Sequence, residues 1–462
     1  MVQESTPAAT ARATATTRRS VLGAGVAGAA AGALPLVNVH AQGTAGTLRC
    51  GFWDHWVPTG NDVLRRLCGE WGERNRVNVQ LDFITSVGNQ NLLTIAAQAQ
   101  SRSGHDLLSF PTWEPSANAR LLEPVDDVVG RLVAKYGPIN PVAEYLARRE
   151  GAWRAIPAVS GSQHKPALAR YDLLQQHAGL DVRATWPARD EAGPGADAWT
   201  WDAFLQAAER CHAAGVPFGL PMGSFTDAVD WVGALFRSHG AALVDEGGNV
   251  TVRTNPAVRQ VVEYGARLCR FLPGDVFAWD DASNNRSLIS GRSALIFNPP
   301  STWAVAKRDA PQVAERCWTF PMPAGPAGRF TPYLPYFWGV WSFSRNKTAA
   351  KALLEHLSER QQAEAQTTTS NGYDIPPFGS MADFEVWAKE GPPTGVVFNY
   401  PLKAHHRSTQ SIAFAPAPAE IAVQAYNQAI NTKLIARVAQ GGESVDQALA
   451  WAERELRNIA RG

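Results

Sequence analysis

Strand-like and helix-like runs alternate from Thr47 onward, and that alternation restricts the chain to a sheet flanked by helices. Thr47 to Phe52 reads as a first strand, after which Val63, Leu64, Leu67, Cys68 and Trp71 recur at helical spacing. Val77 to Ile84 alternates as a second strand ahead of an Ala/Gln-rich helix, and a third strand follows Asp106. Strands joined through helices imply right-handed crossovers and mainly parallel sheets, so the class is α/β. In such sheets ligands lie beyond the carboxyl ends of the strands.

The loops at those ends carry recognition-type side chains. The first, WDHWVPTGND, sets Trp53, Asp54, His55 and Trp56 ahead of Asn61 or Asp62, either of which can cap the next helix. Two indole rings flanking a carboxylate and an imidazole suit a small polar ligand with apolar ring faces; the competing reading has the rings plugging the loop onto the core. The second loop offers Ser86, Gly88 and Asn89, and the third offers Trp113 as a ligand ring or a packed rim residue. The densest stretch runs from Asp280 to Lys347. There Ser293 to Phe297 reads as a short buried strand, and Asn298, Pro299 and Pro300 end it and lead to Trp303. Tyr336, Phe337 and Trp338 crowd beside a Pro and a Gly, and Tyr373 and Asp374 sit on a later loop. Trp231, at the apolar spacing of a buried helix, is expected in the core. The terminal run from Ser444, with Val445, Leu449, Ala452, Leu456 and Ile459 on one stripe, reads as a capped packing helix.

The segments SGRSALIFNPPSTW, FPMPAGPAGRF and PYFWGVWSFSRNKTAAKALLEHLSER, in that order, resemble bacterial extracellular solute-binding proteins of family 1, the periplasmic receptors of ABC importers for sugars and oligosaccharides. HDLLSFPTWEPSANARLLEPVDDVV from His105 and GAWRAIPAVSGSQHKPALARYDLL from Gly151 are similar to the same family. Leu295 and Ile296 stand where the family has Met, and Tyr336 to Trp338 where it has small glycines. The resemblance implies two lobes with three crossings between them. It makes Trp303 the ring that stacks on ligand and places Ser160 and Ser162 at the cleft, just after the first crossing. It divides the chain into a first part of lobe 1 (42–157), a first part of lobe 2 (158–338), a return to lobe 1 (339–395) and a C-terminal helical part, mainly in lobe 2 (396–462).

Residues 1–41 read as a targeting segment. Arg18 and Arg19 precede a mild Ala/Gly-rich run from Val21 to Val37, and Val39, His40 and Ala41 give a small-residue cleavage pattern. This is the pattern of a twin-arginine signal, and it places the mature protein in the periplasm. The glycines Gly23, Gly25 and Gly28 match a dinucleotide fingerprint by accident, since no strand precedes them. Five cysteines, Cys50, Cys68, Cys211, Cys269 and Cys317, lack metal or redox spacing, and buried free thiols are expected. A net charge of +1 argues against nucleic acid as partner.

Three function classes compete. A receptor needs flat rings for the C–H faces of a sugar and amides, carboxylates or hydroxyls for its alcohols, and the loops supply both. A secreted glycoside hydrolase would use paired carboxylates such as Asp54 and Asp281, but no G-x-S-x-G, P-loop or H-E-x-x-H supports an enzyme. An adhesion module would show repeats, and the adjacent His405 and His406 read as surface residues. The expectation is therefore a monomeric receptor with no catalytic residue, metal or cofactor, serving membrane permease subunits.

Overall fold

The computed structural model describes residues 46–188, 192–389 and 408–461, with the backbone alone at 299 and 300. The targeting segment with Arg18, Arg19, Gly23, Gly25 and Gly28 lies outside the described residues, as do His405 and His406.

The first sheet runs in the order Asn78–Ile84, Thr47–Trp53, Leu107–Pro111, Tyr336–Val340, Ile156–Pro157. Helix Pro58–Asn75 makes the crossover between the first two strands, and helix Gln90–Ser101 the next; the three strands they join are parallel. Helix Pro58–Asn75 forms because Pro58 fixes its first turn and Val63, Leu64, Leu67, Cys68 and Trp71 make a buried stripe. Tyr336–Val340 enters antiparallel to both its neighbours. A second sheet, Cys317–Phe320, Ala167–Arg170 and Leu295–Ile296, is antiparallel throughout. Within these two sheets, parallel pairing is carried by the N-terminal strands.

Between these sheets three extended segments lie side by side. Gln163–His164 pairs antiparallel with the strand Gly328–Leu334 through Tyr333 and Leu334, and Gly328–Leu334 pairs parallel with Thr409–Ser411 through Phe330 to Pro332. These are the three crossings of a two-lobed fold. Each is short and extended, which lets the sheets hinge without breaking a helix.

Packing around the second sheet is rich in indoles. Trp231, on helix Thr226–Ser238, is buried and donates its Nε1–H to the Pro221 carbonyl at 2.8 Å. Helix Val445–Ala460 starts at a capping box, in which Ser444 and Gln447 satisfy each other's backbone N–H, and it buries Ala448, Leu449, Ala452 and Leu456. All five cysteines are free thiols, four buried and Cys269 half-buried.

Candidate functional site

One wall of the cleft comes from the carboxyl ends of the first sheet. Trp53 ends its strand and meets Tyr336 with ring centroids 5.0 Å apart. Trp56, half-buried, stands on the loop beyond, and Ser86, Asn89, Asn91 and Thr112 complete this side. The crossing passes close beneath at Gly161, where φ is +90° and a Cβ would come within 2.8 Å of the Tyr336 ring and 3.0 Å of Trp53. Only glycine accepts both the backbone angle and the approach.

Behind this wall a buried tie holds the crossing to the returning chain. Val57 N–H donates to His55 Nδ1 at 2.8 Å, so the ring proton sits on Nε2 and donates to Asp374 Oδ1 at 3.0 Å. Gly161 N–H donates to the same oxygen at 2.8 Å, and Tyr373 packs edge-on against His55, 4.7 Å between centroids. Ser162 acts alongside: its hydroxyl donates to Ala158 O at 2.7 Å and accepts Tyr336 N–H at 2.9 Å.

The opposing floor is ionic. Lys165, just past the crossing strand, is 1% exposed, and its ammonium donates to Asp227 Oδ1 at 2.6 Å and Asp230 Oδ2 at 2.9 Å. Burial works to lower its pKa, but the two carboxylates outweigh that and hold it well above the ordinary lysine range. Asp227 Oδ2 accepts from Asn284 at 2.9 Å and Asn298 at 3.0 Å, and Tyr426 donates to Asp230 Oδ1 at 2.8 Å. Burial raises the Asp230 pKa, with Lys165 pulling the other way. Asp281 Oδ1 accepts Asp227 N–H at 3.3 Å, and desolvation, followed by the Asp227 charge, pushes its carboxyl up to about 7. The cavity between wall and floor measures about 40 Å³, room for about three waters.

Of the residues singled out from the sequence, Trp53, Trp56, Asn89, Asn298 and Tyr336 come together on this cleft. Others lie elsewhere. Asp54 is exposed and accepts from Asn61 Nδ2 at 2.7 Å, which fixes the loop. His55, Tyr373 and Asp374 are buried in the tie, and Ser160 and Ser162 are buried in the crossing. Trp113 is buried with its Nε1–H donated to Ala413 O at 3.2 Å, packed edge-on against Tyr145. Trp338 is buried within the first sheet, edge-on to Phe52. Trp303, expected as the stacking ring, packs instead with Leu168, Leu288, Ile296 and Cys317 in a separate apolar cluster. A wide aromatic side chain beside a strand end satisfies the same sequence pattern whether it faces the cleft or the core.

Sequence reading missed Gln163, Lys165, Asp227 and Tyr426, and named Asp281 only as a hydrolase carboxylate. One signal was available: Asp227 and Asp230, spaced i and i+3, interrupt an otherwise apolar helix and so require a buried partner.

Comparison with known proteins agrees with this architecture. The family model described as bacterial extracellular solute-binding protein matches residues 72–393. The "Probable ABC transporter-binding protein" of Deinococcus radiodurans is 24% identical over 217 residues, 42% of this chain and 50% of that relative. The chain therefore matches half the length of that relative. Among solved structures, maltose-bound MalE3 of T. maritima superposes with a TM-score of 0.72 at 16% identity, covering 90% of this chain and 100% of that one. The sugar transporter of Arthrobacter chlorophenolicus A6 with bound laminaribiose gives 0.69 at 13% identity, covering 90% and 99%. The GacH receptor of Streptomyces glaucescens, solved unliganded and with acarbose, gives 0.63 at 19% identity, covering 91% and 99%. With the match spanning most of its length and the fold the same, this chain belongs to the bacterial extracellular solute-binding proteins.

Proposed function

We propose that the chain is the periplasmic receptor of an ABC importer, that it captures a carbohydrate by closing its lobes, and that it hands it as a monomer to the membrane permease. The observation that carries this reading is the cleft itself: aromatic faces from Trp53, Trp56 and Tyr336 oppose a hydrogen-bonding floor of Asn298, Asp227 and Asp281, with three hinge crossings between. Flat rings suit sugar C–H faces, and amides and carboxylates suit hydroxyls. The maltose, laminaribiose and acarbose in the structural relatives support the same ligand class. We place the return to the first lobe at the turn between Leu334 and Tyr336, where the crossing strand ends and the first sheet begins. A hydrolase pairing Asp54 with Asp281 gains no support, since Asp54 lies outside the cleft lining.

Calorimetric titration against a panel of glucose, maltose, laminaribiose and amino sugars tests the reading, with Trp56→Ala as the site control. Trp56 is half-buried, so its loss should leave the melting temperature nearly unchanged. A stacked ring contributes about 1 kcal/mol beyond its area, and with the area included the variant should bind roughly tenfold more weakly. Turnover of a panel member, or full affinity in Trp56→Ala, would overturn the assignment.

Export through a twin-arginine signal is the accompanying proposal. Replacing Arg18 and Arg19 with lysine should leave precursor in the cytoplasm, as fractionation would read. Normal periplasmic accumulation of that variant defeats it.

A further inference from the structure

The charges lining the cleft do not balance. Lys165 spends its charge on Asp227 and Asp230, and the Asp227 oxygens are further occupied by Asn284 and Asn298. Asp281 has no ion-pair partner among the described residues; its one protein hydrogen bond there is from the Asp227 amide. One ammonium thus faces three carboxylates, an excess of two negative charges when all are ionised. A neutral ligand leaves that excess in place.

A second observation at the same spot points to a ligand rather than to a structural acid cluster. Gln163, 4% exposed and lining the cleft, buries its Oε1 with no hydrogen-bond partner among the described residues. Buried amide oxygens rarely stay unpaired, and an unspent acceptor in a cleft is available to a ligand hydroxyl or ammonium. The rings of Trp53, Trp56, Tyr336 and Tyr426 line the remainder, and aromatic faces attract cations.

Resting on the carbohydrate reading above, we infer that the ligand is a saccharide bearing an ammonium group, with the cation at Asp281 and the sugar face against Trp56 and Tyr336. The cation supplies the charge the floor lacks, and the hydroxyls take up Gln163 and Asn298.

The proton balance follows from the groups that face Asp281. From the crossing comes Lys165, which stays charged; from helix Thr226–Ser238 come Asp227 and Asp230. Tyr336 and Tyr426 are pushed upward by burial and stay neutral, and Asp280 on the same segment is bound to Arg286 at 2.9 Å. Free Asp281, at about 7, is mostly protonated at pH 6. A bound ammonium favours the carboxylate, so binding expels that proton.

The test compares the β-1,4-linked glucosamine disaccharide with its N,N′-diacetylated counterpart by calorimetry at pH 6, where the probe amine is protonated, in buffers of different ionisation enthalpy. The amine form should bind at least tenfold tighter and release about one proton. Asp281→Asn, whose amide oxygen still accepts the Asp227 N–H, should bring the two affinities within about threefold and abolish the release, with the melting temperature little changed. Equal or tighter binding of the diacetylated disaccharide, tighter binding of neutral glucose, maltose or laminaribiose, or amine binding that is indifferent to Asp281→Asn, overturns the inference and leaves the carbohydrate reading standing. Binding of no saccharide in either set overturns both.

Discussion

Replacing Lys165 with methionine is expected to destabilise the protein by about 3–5 kcal/mol, the usual cost of removing one partner from a buried ion pair. The methionine fills a similar volume, so the loss is electrostatic: Asp227 and Asp230, both buried, would face each other without the ammonium that holds them at 2.6 and 2.9 Å. The sign with pH follows. Burial already raises the Asp230 pKa against the pull of Lys165, and without Lys165 that carboxyl rises further. A carboxyl whose folded pKa lies above its unfolded value favours the fold when protonated, so the deficit should shrink as pH falls and grow as pH rises. Urea unfolding at pH 5 and pH 7.5 reads both the size and the slope. The companion variant Lys165→Met with Asp227→Asn and Asp230→Asn removes the charges together and should recover most of the stability. A deficit below about 1 kcal/mol in the single variant, or one that does not vary with pH, would mean that the cluster behaves as a solvated ion pair and not as a buried one.

The fold was legible where the pattern is local. Alternation over Thr47–Trp53 and Asn78–Ile84, the proline at the head of helix Pro58–Asn75 and the capping box at Ser444 each report their element within a few residues. The cleft was legible only in part, because which way a ring turns is decided by chain that arrives from far away. Trp53 lines the cleft because Tyr336, from the return strand, flanks it, and Gly161 lets the crossing pass close to both rings. Trp113 is buried by Ala413, 300 positions on. Lys165 shows the same limit most clearly: its partners lie 62 and 65 positions away on a helix whose apolar spacing reads as plain core. Charged residues that break an apolar face carry more information about a site than aromatic residues at a strand end, since a buried charge must be compensated while a buried ring need not be.

Trp303→Ala should cost about 3–5 kcal/mol of stability while changing ligand affinity by less than roughly threefold, through loss of a fully buried indole. The family resemblance implies the reverse, a ring whose loss weakens ligand. Helix Pro299–Asp309 explains the inversion. Its start turns polar groups toward the floor: Asn298 donates to Asp227 at 3.0 Å, and Thr302, whose hydroxyl also bonds Asn285, donates to the Asn298 carbonyl at 2.8 Å. One residue later the helix has turned by about 100°, and Trp303 points into the cluster of Leu168, Leu288, Ile296 and Ala306, where it is 1% exposed. Lys307, one turn on, sits 4.4 Å over the ring and closes its outer side. Truncating the indole therefore opens a cavity behind the floor, and the floor's hydrogen bonds to Asp227 remain. Urea unfolding and calorimetric titration of Trp303→Ala beside Trp56→Ala make the contrast internal to one experiment: the first should lose stability and keep ligand, the second should lose ligand and keep stability. A tenfold loss of affinity in Trp303→Ala with stability intact would restore its ring to the cleft wall and displace the ionic floor from the centre of the site.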